Sequence, residues 1–353
     1  MIAQRRTSSN LFKATLKSLI CAAAFFSFAQ ASSVAVAQTS DAAESANHPL
    51  AQHTDDLHRM RNIVILHNGE FVFEHHARGP EPREPVNVKS VSKSVISLVT
   101  GIAIDKGYLS GLDQPIVEVL GDHMPAEPQA DLSKITIEHL LAMQSGLQRT
   151  SGGHYGTWVA SNNWTEYALT RRMVDEPGGE MLYSTGNSHI LSAILQEQTG
   201  RNLFELTRDW VGSPLNIAIH PWQEAPEGVV FGGNDMVMST HGLAWIGQLY
   251  LDRGMANGQR VVSESWIEDS FVPRTSSVYT NDPYGLGWFS YMFGDVQAYY
   301  GRGYGGQLIY VIPELDLSIA MTSNPYPPSN GSYLQRQHDY VRNVVLPYFG
   351  HSL

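Results

Sequence analysis

Strand-like and helix-like patterns occupy different parts of this chain, and their positions restrict the folds open to it. In "RNIVILHNGEFVFEHH" two β-rich runs flank Asn68-Gly69, a pair suited to the left-handed residues of a tight hairpin. From Tyr284 onwards "YGLGWFSYMF", "VQAYY", "QLIYVI" and "LSIAMTS" read as strands, the last two joined by a turn at Pro313 to Asp316. Between these ends "ITIEHLLAMQSGL", "LSAILQEQTG" and "HGLAWIGQLYLDRG" carry helical spacing and stop near glycine. An amphipathic helix is expected over 332–348. Strands at both ends with helices between them predict an α/β (α+β) fold: one antiparallel sheet built from both chain ends, flanked by helices, with a mainly helical lobe inserted. The expected boundaries are 51–115 and 265–353 for the α/β lobe and 116–264 for the helical lobe. No internal repeat is present.

The first 37 residues follow a different logic. Arg5, Arg6, Lys13 and Lys17 precede an apolar run from Leu19 to Ala29, and Ala35-Val36-Ala37 offers small residues for cleavage. The run is about half the roughly 20 residues a membrane span requires, so a secretory signal is expected rather than an anchor. Arg5-Arg6 hints at twin-arginine export, but the residues after it fit that pattern poorly. Residues 38–50 are small and polar and read as a flexible tether, and the signal leads us to expect the protein in the periplasm or beyond. The one cysteine, Cys21, lies inside the signal. A mature chain without thiols excludes disulfides, zinc-cysteine sites and a cysteine nucleophile. Loss of the signal moves the net charge from -11 to about -15, which disfavours nucleic acid and anionic membranes as partners.

The stretch "KSVSKSVISLVTGIAIDKG", 89–107, carries the chemistry. After Ser92, the apolar positions Val95, Ile96, Leu98, Val99, Ile102, Ala103 and Ile104 cover most of a helical circumference, and Gly107 can close the helix. Residues three apart share a face, so a first-turn Ser90 stands beside Lys93. Burial lowers the pKa of a lysine and makes a neutral amine accessible, able to take a proton from the serine. Free N–H groups at the helix N-terminus lie where an oxyanion would form. The plainer reading is a capping serine with a lysine that snorkels to solvent. Against it, beyond the signal only Lys89, Lys93, Lys106 and Lys134 occur, and only Lys93 has a serine three residues earlier.

With "SVSK", "ITIEHLLAMQSGL", "YSTGN", "LYLDRGMANGQRVVSESW", "YGLGWF" and "GRGYGGQLIYVIPE" in that order, the chain resembles the penicillin-recognising serine hydrolases across about 55–348. These include class C β-lactamases, D-alanyl-D-alanine carboxypeptidases, related esterases and 6-aminohexanoate-dimer hydrolases. The resemblance implies a β-lactamase/transpeptidase-like fold, Ser90 as the acylated nucleophile and Lys93 as its proton acceptor. It also implies that Tyr183 serves as the tyrosine of a Y-x-N motif. Such a tyrosine, held partly as phenolate by the lysine, would shuttle a proton to the leaving group. Here Thr185 stands at the third position and Asn187 comes two residues late, which disturbs the usual amide contact to substrate. A rival S-x-N lies at Ser161 to Asn163.

"GRGYGGQLIY" holds a G-x-G-x-x-G pattern, but it leads into a strand rather than the helix a dinucleotide loop needs. It reads instead as an edge strand whose glycines admit substrate to the backbone. Alignment to the family puts Gly301, Arg302 and Gly303 at the K-T-G position, and Tyr304 next, its N–H the second oxyanion donor beside that of Ser90. The family's lysine is absent, since none occurs after Lys134. Arg302 with its planar head need not replace it. This shifts the expectation from β-lactamase or carboxypeptidase activity to esterase or amidase activity on a small-molecule substrate.

His75 and His76 are adjacent on a strand and point to opposite faces, so a metal site there is not expected. No G-x-S-x-G elbow and no H-E-x-x-H occurs. Tyr155, Trp158 and Trp164 are candidates for a substrate-pocket wall or for local core. The expected activity needs no metal or cofactor and resembles most the 6-aminohexanoate-dimer hydrolase branch. The alternatives are a β-lactamase or D-alanyl-D-alanine carboxypeptidase, and a binding or sensing protein with a decayed site. Oligomeric state is not readable.

Overall fold

The computed structural model describes residues 48–351 except 129–130 and 327–330. The expected signal, 1–37, and most of the expected tether lie outside the described residues. At the tether's end, Pro49–Ala51 form a 3-10 turn with Leu50 wholly buried.

An eight-stranded antiparallel sheet forms the centre. Its members are β1 (Met60–His67), β2 (Glu70–His76), β7 (Thr275–Ser276), β8 (Pro283–Tyr284), β9 (Phe289–Phe293), β10 (Val296–Gly303), β11 (Gln307–Ile312) and β12 (Leu317–Ser323), in the order β2-β1-β12-β11-β10-β9-β8-β7. β1 and β2 turn at Asn68 (φ 51°) and Gly69 (φ 76°), both left-handed, as the hairpin signal requires. β1 then pairs with β12, from Met60 opposite Ser323 to His67 opposite Leu317, so the two chain ends share one sheet. Separate short ladders join β3 (Val86–Asn87) to β4 (Val237–Met238) and β5 (Met255–Ala256) to β6 (Gln259–Arg260).

Both faces of the sheet are covered, so its central strands read as continuous apolar runs. Ile63, Ile65, Leu308, Tyr310 and Ile319 pack on one side with the C-terminal helix. Val64, Leu66, Ile309, Val311 and Ala320 pack on the other, against the remaining helices. The longer helices are α1 (Ser92–Asp105), α2 (Thr185–Thr199), α3 (Thr240–Leu251), α4 (Glu264–Phe271) and α5 (Gly331–Tyr340). Although α3 falls within 116–264, it lies on β1, β11 and β12. Helical structure continues past α5 through a π turn, Val341–Val345, to Tyr348. The other π turn, Arg208–Gly212, also runs into a proline, Pro214 there and Pro347 here. Proline lacks the N–H for an i→i−4 bond and its ring collides with that carbonyl, which favours a widened turn.

Candidate active site

Ser90 sits in a 3-10 turn, Lys89–Val91, that leads into α1 rather than in the first turn of α1 itself. Every residue from Ser92 to Ala103 is buried, so Lys93 enters the interior with its helix. Its side chain is 3% exposed, and burial pushes the amine pKa from 10.5 down to about 7. The Lys93 Nζ lies 3.0 Å from Ser90 Oγ, 3.4 Å from Thr185 Oγ1 and 2.6 Å from the Gly233 carbonyl oxygen, to which it donates. Three neighbours suit a neutral amine well: two N–H groups for two acceptors and one lone pair for the serine hydroxyl.

Tyr183 precedes α2 and completes the group. The Lys93 Nζ stands 5.0 Å from the centre of its ring, over the face, and Ser90 and Tyr183 line the same cleft. Burial raises the Tyr183 pKa above 10, and the opposing effects of Ser90 and the Arg302 charge are smaller. The expected partial phenolate is therefore corrected: with its pKa raised and the neighbouring amine, of pKa about 7, only half charged at neutral pH, Tyr183 is read as a phenol.

β10 brings the third segment. It is not an edge strand, because it pairs with β11 on one side and, over Val296–Tyr300, with β9 on the other. Only Gly301 to Gly303 extends past β9. A Cβ on Gly303 would come 2.5 Å from the Val88 carbonyl oxygen, and one on Gly301 would come 2.6 Å from Ser94 Oγ. These glycines thus let the strand approach the turn that carries Ser90.

Ser90, Tyr183, Ser277, Tyr279, Phe289, Arg302, Gly303 and Tyr304 line one cleft, of about 190 Å³. Arg302 contributes a half-buried cation, and exposed Tyr279 and Tyr304 form part of the rim. Among the described residues no group of three or more His, Cys, Asp or Glu side chains is placed to hold a metal ion, and no helix is long and apolar enough to cross a membrane.

Other sequence candidates lie elsewhere. Trp158 and Trp164 are corrected from pocket wall to core: they are 0% and 2% exposed and pack with His189 and Phe231, edge-on except for the tilted Trp164–His189 pair. Tyr155 is half-buried, accepts a hydrogen bond from Asn234 Nδ2 at 2.7 Å and does not line the cleft. Asn187 is also corrected. It is buried in α2, where its Oδ1 accepts from Ser145 Oγ at 3.1 Å, because it follows Thr185, which faces Lys93, by about half a helical turn. In the rival motif, Asn163 caps the helix Trp164–Leu169 and Ser161 Oγ donates to the Trp158 carbonyl, both structural tasks.

Sequence reasoning missed the Gly233 carbonyl, Ser277, Tyr279 and Phe289. Thr185 stands in plain view as the third residue of "YSTGN", where the resemblance makes it only a departure from asparagine. In the fold its hydroxyl contacts Lys93 and Ser151 Oγ, the latter at 3.0 Å.

A family model described as Beta-lactamase matches residues 58–341. The chain belongs to the Beta-lactamase family. It is a serine hydrolase with the fold of that family, and the sheet, the flanking helices and the Ser90 cleft all fall within the matched span. A 6-aminohexanoate-dimer hydrolase of Paenarthrobacter ureafaciens is 24% identical over 236 residues, which cover 62% of this chain and 59% of that relative. The match thus spans less than two thirds of the relative's length. Among solved structures, a Bacillus anthracis protein provisionally named a 6-aminohexanoate-dimer hydrolase superposes with a TM-score of 0.71 at 20% identity, over 86% of this chain and 82% of the other. An octameric penicillin-binding protein homologue from Pyrococcus abyssi has a TM-score of 0.63 at 19% identity, over 92% and 78% of the two chains. EstCE1, a hydrolase with promiscuous acyltransferase activity, has a TM-score of 0.66 at 17% identity, over 85% and 98%.

Proposed function

We propose that this Beta-lactamase family member hydrolyses small linear amides or carboxylic esters through an acyl-enzyme on Ser90. One observation carries the reading: a buried amine with a pKa brought to about 7 stands 3.0 Å from a serine hydroxyl that lines a cleft. Neutral Lys93 takes the Ser90 proton while Oγ attacks the substrate carbonyl carbon. The N–H groups of Ser90 and Tyr304 are the donors for the resulting oxyanion, at about 10²- to 10³-fold in rate per donor. As the carbon–nitrogen or carbon–oxygen bond breaks, the leaving group takes a proton from the neutral Tyr183 phenol, which Lys93 then replaces. Water attacks the acyl carbon, gives its proton to the same groups and frees Ser90.

The narrow cleft and its aromatic lining favour a small acyl group, and Arg302 with Gly303 contacts the substrate from β10. The relation to 6-aminohexanoate-dimer hydrolases favours amides and esters of short linear acids. Arg302 at the usual lysine position disfavours efficient β-lactam turnover. The proposal includes export, directed by residues 1–37, so mass spectrometry of the mature N-terminus after periplasmic fractionation should find cleavage near residue 37.

The deciding experiment compares wild type with Ser90→Ala on short p-nitrophenyl esters, the 6-aminohexanoate dimer and nitrocefin. Loss of ester and dimer hydrolysis in the variant, with negligible nitrocefin turnover by wild type, is expected. Unchanged ester hydrolysis by Ser90→Ala would remove the mechanism. Brisk nitrocefin turnover would favour a β-lactamase, and inert wild type would favour a binding protein.

A further inference from the structure

Lys89, the residue before the nucleophile, has φ of 53°, a left-handed conformation unfavourable to any side chain with a Cβ. Three contacts hold it there. Its amide donates to Asn87 Oδ1 at 2.9 Å, its Nζ pairs with Asp235 Oδ1 at 3.0 Å, and Asn87 Nδ2 donates to that same carboxylate oxygen. Asp235 is itself left-handed, with φ of 56°. It lies two residues after Gly233, whose carbonyl anchors Lys93. The backbone ties the same two segments: β3 pairs with β4, and the Val88 amide donates to the Met236 carbonyl at 3.0 Å.

These contacts close a ring. It runs from Ser90 through the Lys89 side chain to Asp235, back along the chain to Gly233, and through the Lys93 amine to Ser90 Oγ. We propose that Lys89 and Asp235 form a positioning pair that sets the distance between the Ser90 hydroxyl and the Lys93 amine. This role rests on the Ser90 mechanism proposed above. Neither residue lines the cleft, and each side chain is 24% exposed, so the pair acts through the two segments it joins. An ordinary surface ion pair would have no reason to sit on a left-handed residue beside the nucleophile, with an asparagine bound to both partners. Small misplacements of reacting groups cost as much as a hundredfold in rate, which gives such a pair leverage on the chemical step.

The test measures kcat and KM on p-nitrophenyl acetate, with thermal melting, for Lys89→Gly, Lys89→Met, Asp235→Asn, the Lys89→Met/Asp235→Asn double variant and Ser90→Ala. We expect kcat to fall about tenfold in each single variant and by no more in the double, with KM within twofold. Lys89→Gly discriminates most sharply: it relieves the backbone conformation yet removes the ammonium, so its kcat should fall while its melting temperature holds or rises. Wild-type kcat in the single variants, or losses that multiply in the double, would overturn the pair. Should Asp235→Asn fail to fold, the two Lys89 variants decide by the same criterion. Ser90→Ala separates the two levels: full activity in it removes the underlying mechanism, whereas an inert Ser90→Ala beside fully active pair variants removes only the positioning role.

Discussion

The Lys93 amine lies closer to the Gly233 carbonyl, at 2.6 Å, than to the Ser90 hydroxyl, at 3.0 Å. The carbonyl engages one N–H and thereby helps to orient the nitrogen. With Thr185 taking a second N–H, the lone pair of the neutral amine is left to the serine. Proton acceptance then depends on protonation state and on orientation, and each can be probed separately.

The first probe is pH. Burial lowers the Lys93 pKa to about 7, so the neutral fraction and kcat/KM should rise about tenfold per unit below that value and level off above it. Tyr183 adds no descending limb below pH 10, because burial moves its pKa upward. Initial rates on an amide substrate, whose spontaneous hydrolysis is slow, measure this between pH 5 and 9.

Orientation is addressed by Thr185→Val, which keeps the shape and removes the hydroxyl 3.4 Å from Nζ. We expect kcat to fall about tenfold with KM nearly unchanged, the cost of one hydrogen bond to the group that reacts. Steady-state kinetics on a short ester give both parameters.

Stability should vary with pH in a direction that Lys93 sets. Its pKa is lower in the folded chain than in the unfolded one, so between about 7 and 10.5 the unfolded state binds more protons and stability rises with pH. Below 7 both states are charged and the full burial cost is felt. Lys93→Met lacks the ionisable group. Its stability relative to wild type should therefore be about 3 kcal/mol more favourable at pH 6 than at pH 9. Denaturant titrations of both proteins at the two pH values test the difference, and other ionisable groups cancel in the comparison.

Gly303→Ala and Gly301→Ala should differ although the glycines sit two residues apart on β10. The added methyl at 303 meets the Val88 backbone carbonyl at 2.5 Å, which cannot move without shifting the Ser90 turn. The one at 301 meets the Ser94 hydroxyl at 2.6 Å, the end of a side chain that can rotate if it releases its bond to the Gly287 carbonyl. Gly303→Ala should cost about 1–3 kcal/mol and most of the activity, Gly301→Ala distinctly less of both. Thermal melts and ester assays on the two variants decide this.

The features legible in the sequence are those written in short-range pattern. The Asn68-Gly69 hairpin, the turn after β11 and the Ser90–Lys93 spacing each fit within one window of the chain, where periodicity and turn chemistry speak directly. Contacts made by backbone atoms at long range leave no signal: Gly233 reaches Lys93 across 140 residues and uses only its carbonyl. Trp158 and Trp164 cannot be sorted into wall or core from sequence, because aromatic residues in a glycine-containing segment suit both. The charge state expected for Tyr183 fails for a related reason, since proximity to Lys93 is readable but depth of burial is not.

The pairing of β1 with β12 has a consequence for biogenesis. A ribosome must pass residue 323 before the N-terminal hairpin finds its neighbour, so the central layer cannot close while most of the polypeptide is still being made. The turn that carries Ser90 waits with it, because the strand against which that turn is braced is also translated late. A nascent or prematurely terminated product lacking β12 should thus be catalytically silent, and hydrolysis becomes possible only after residue 323 has been translated.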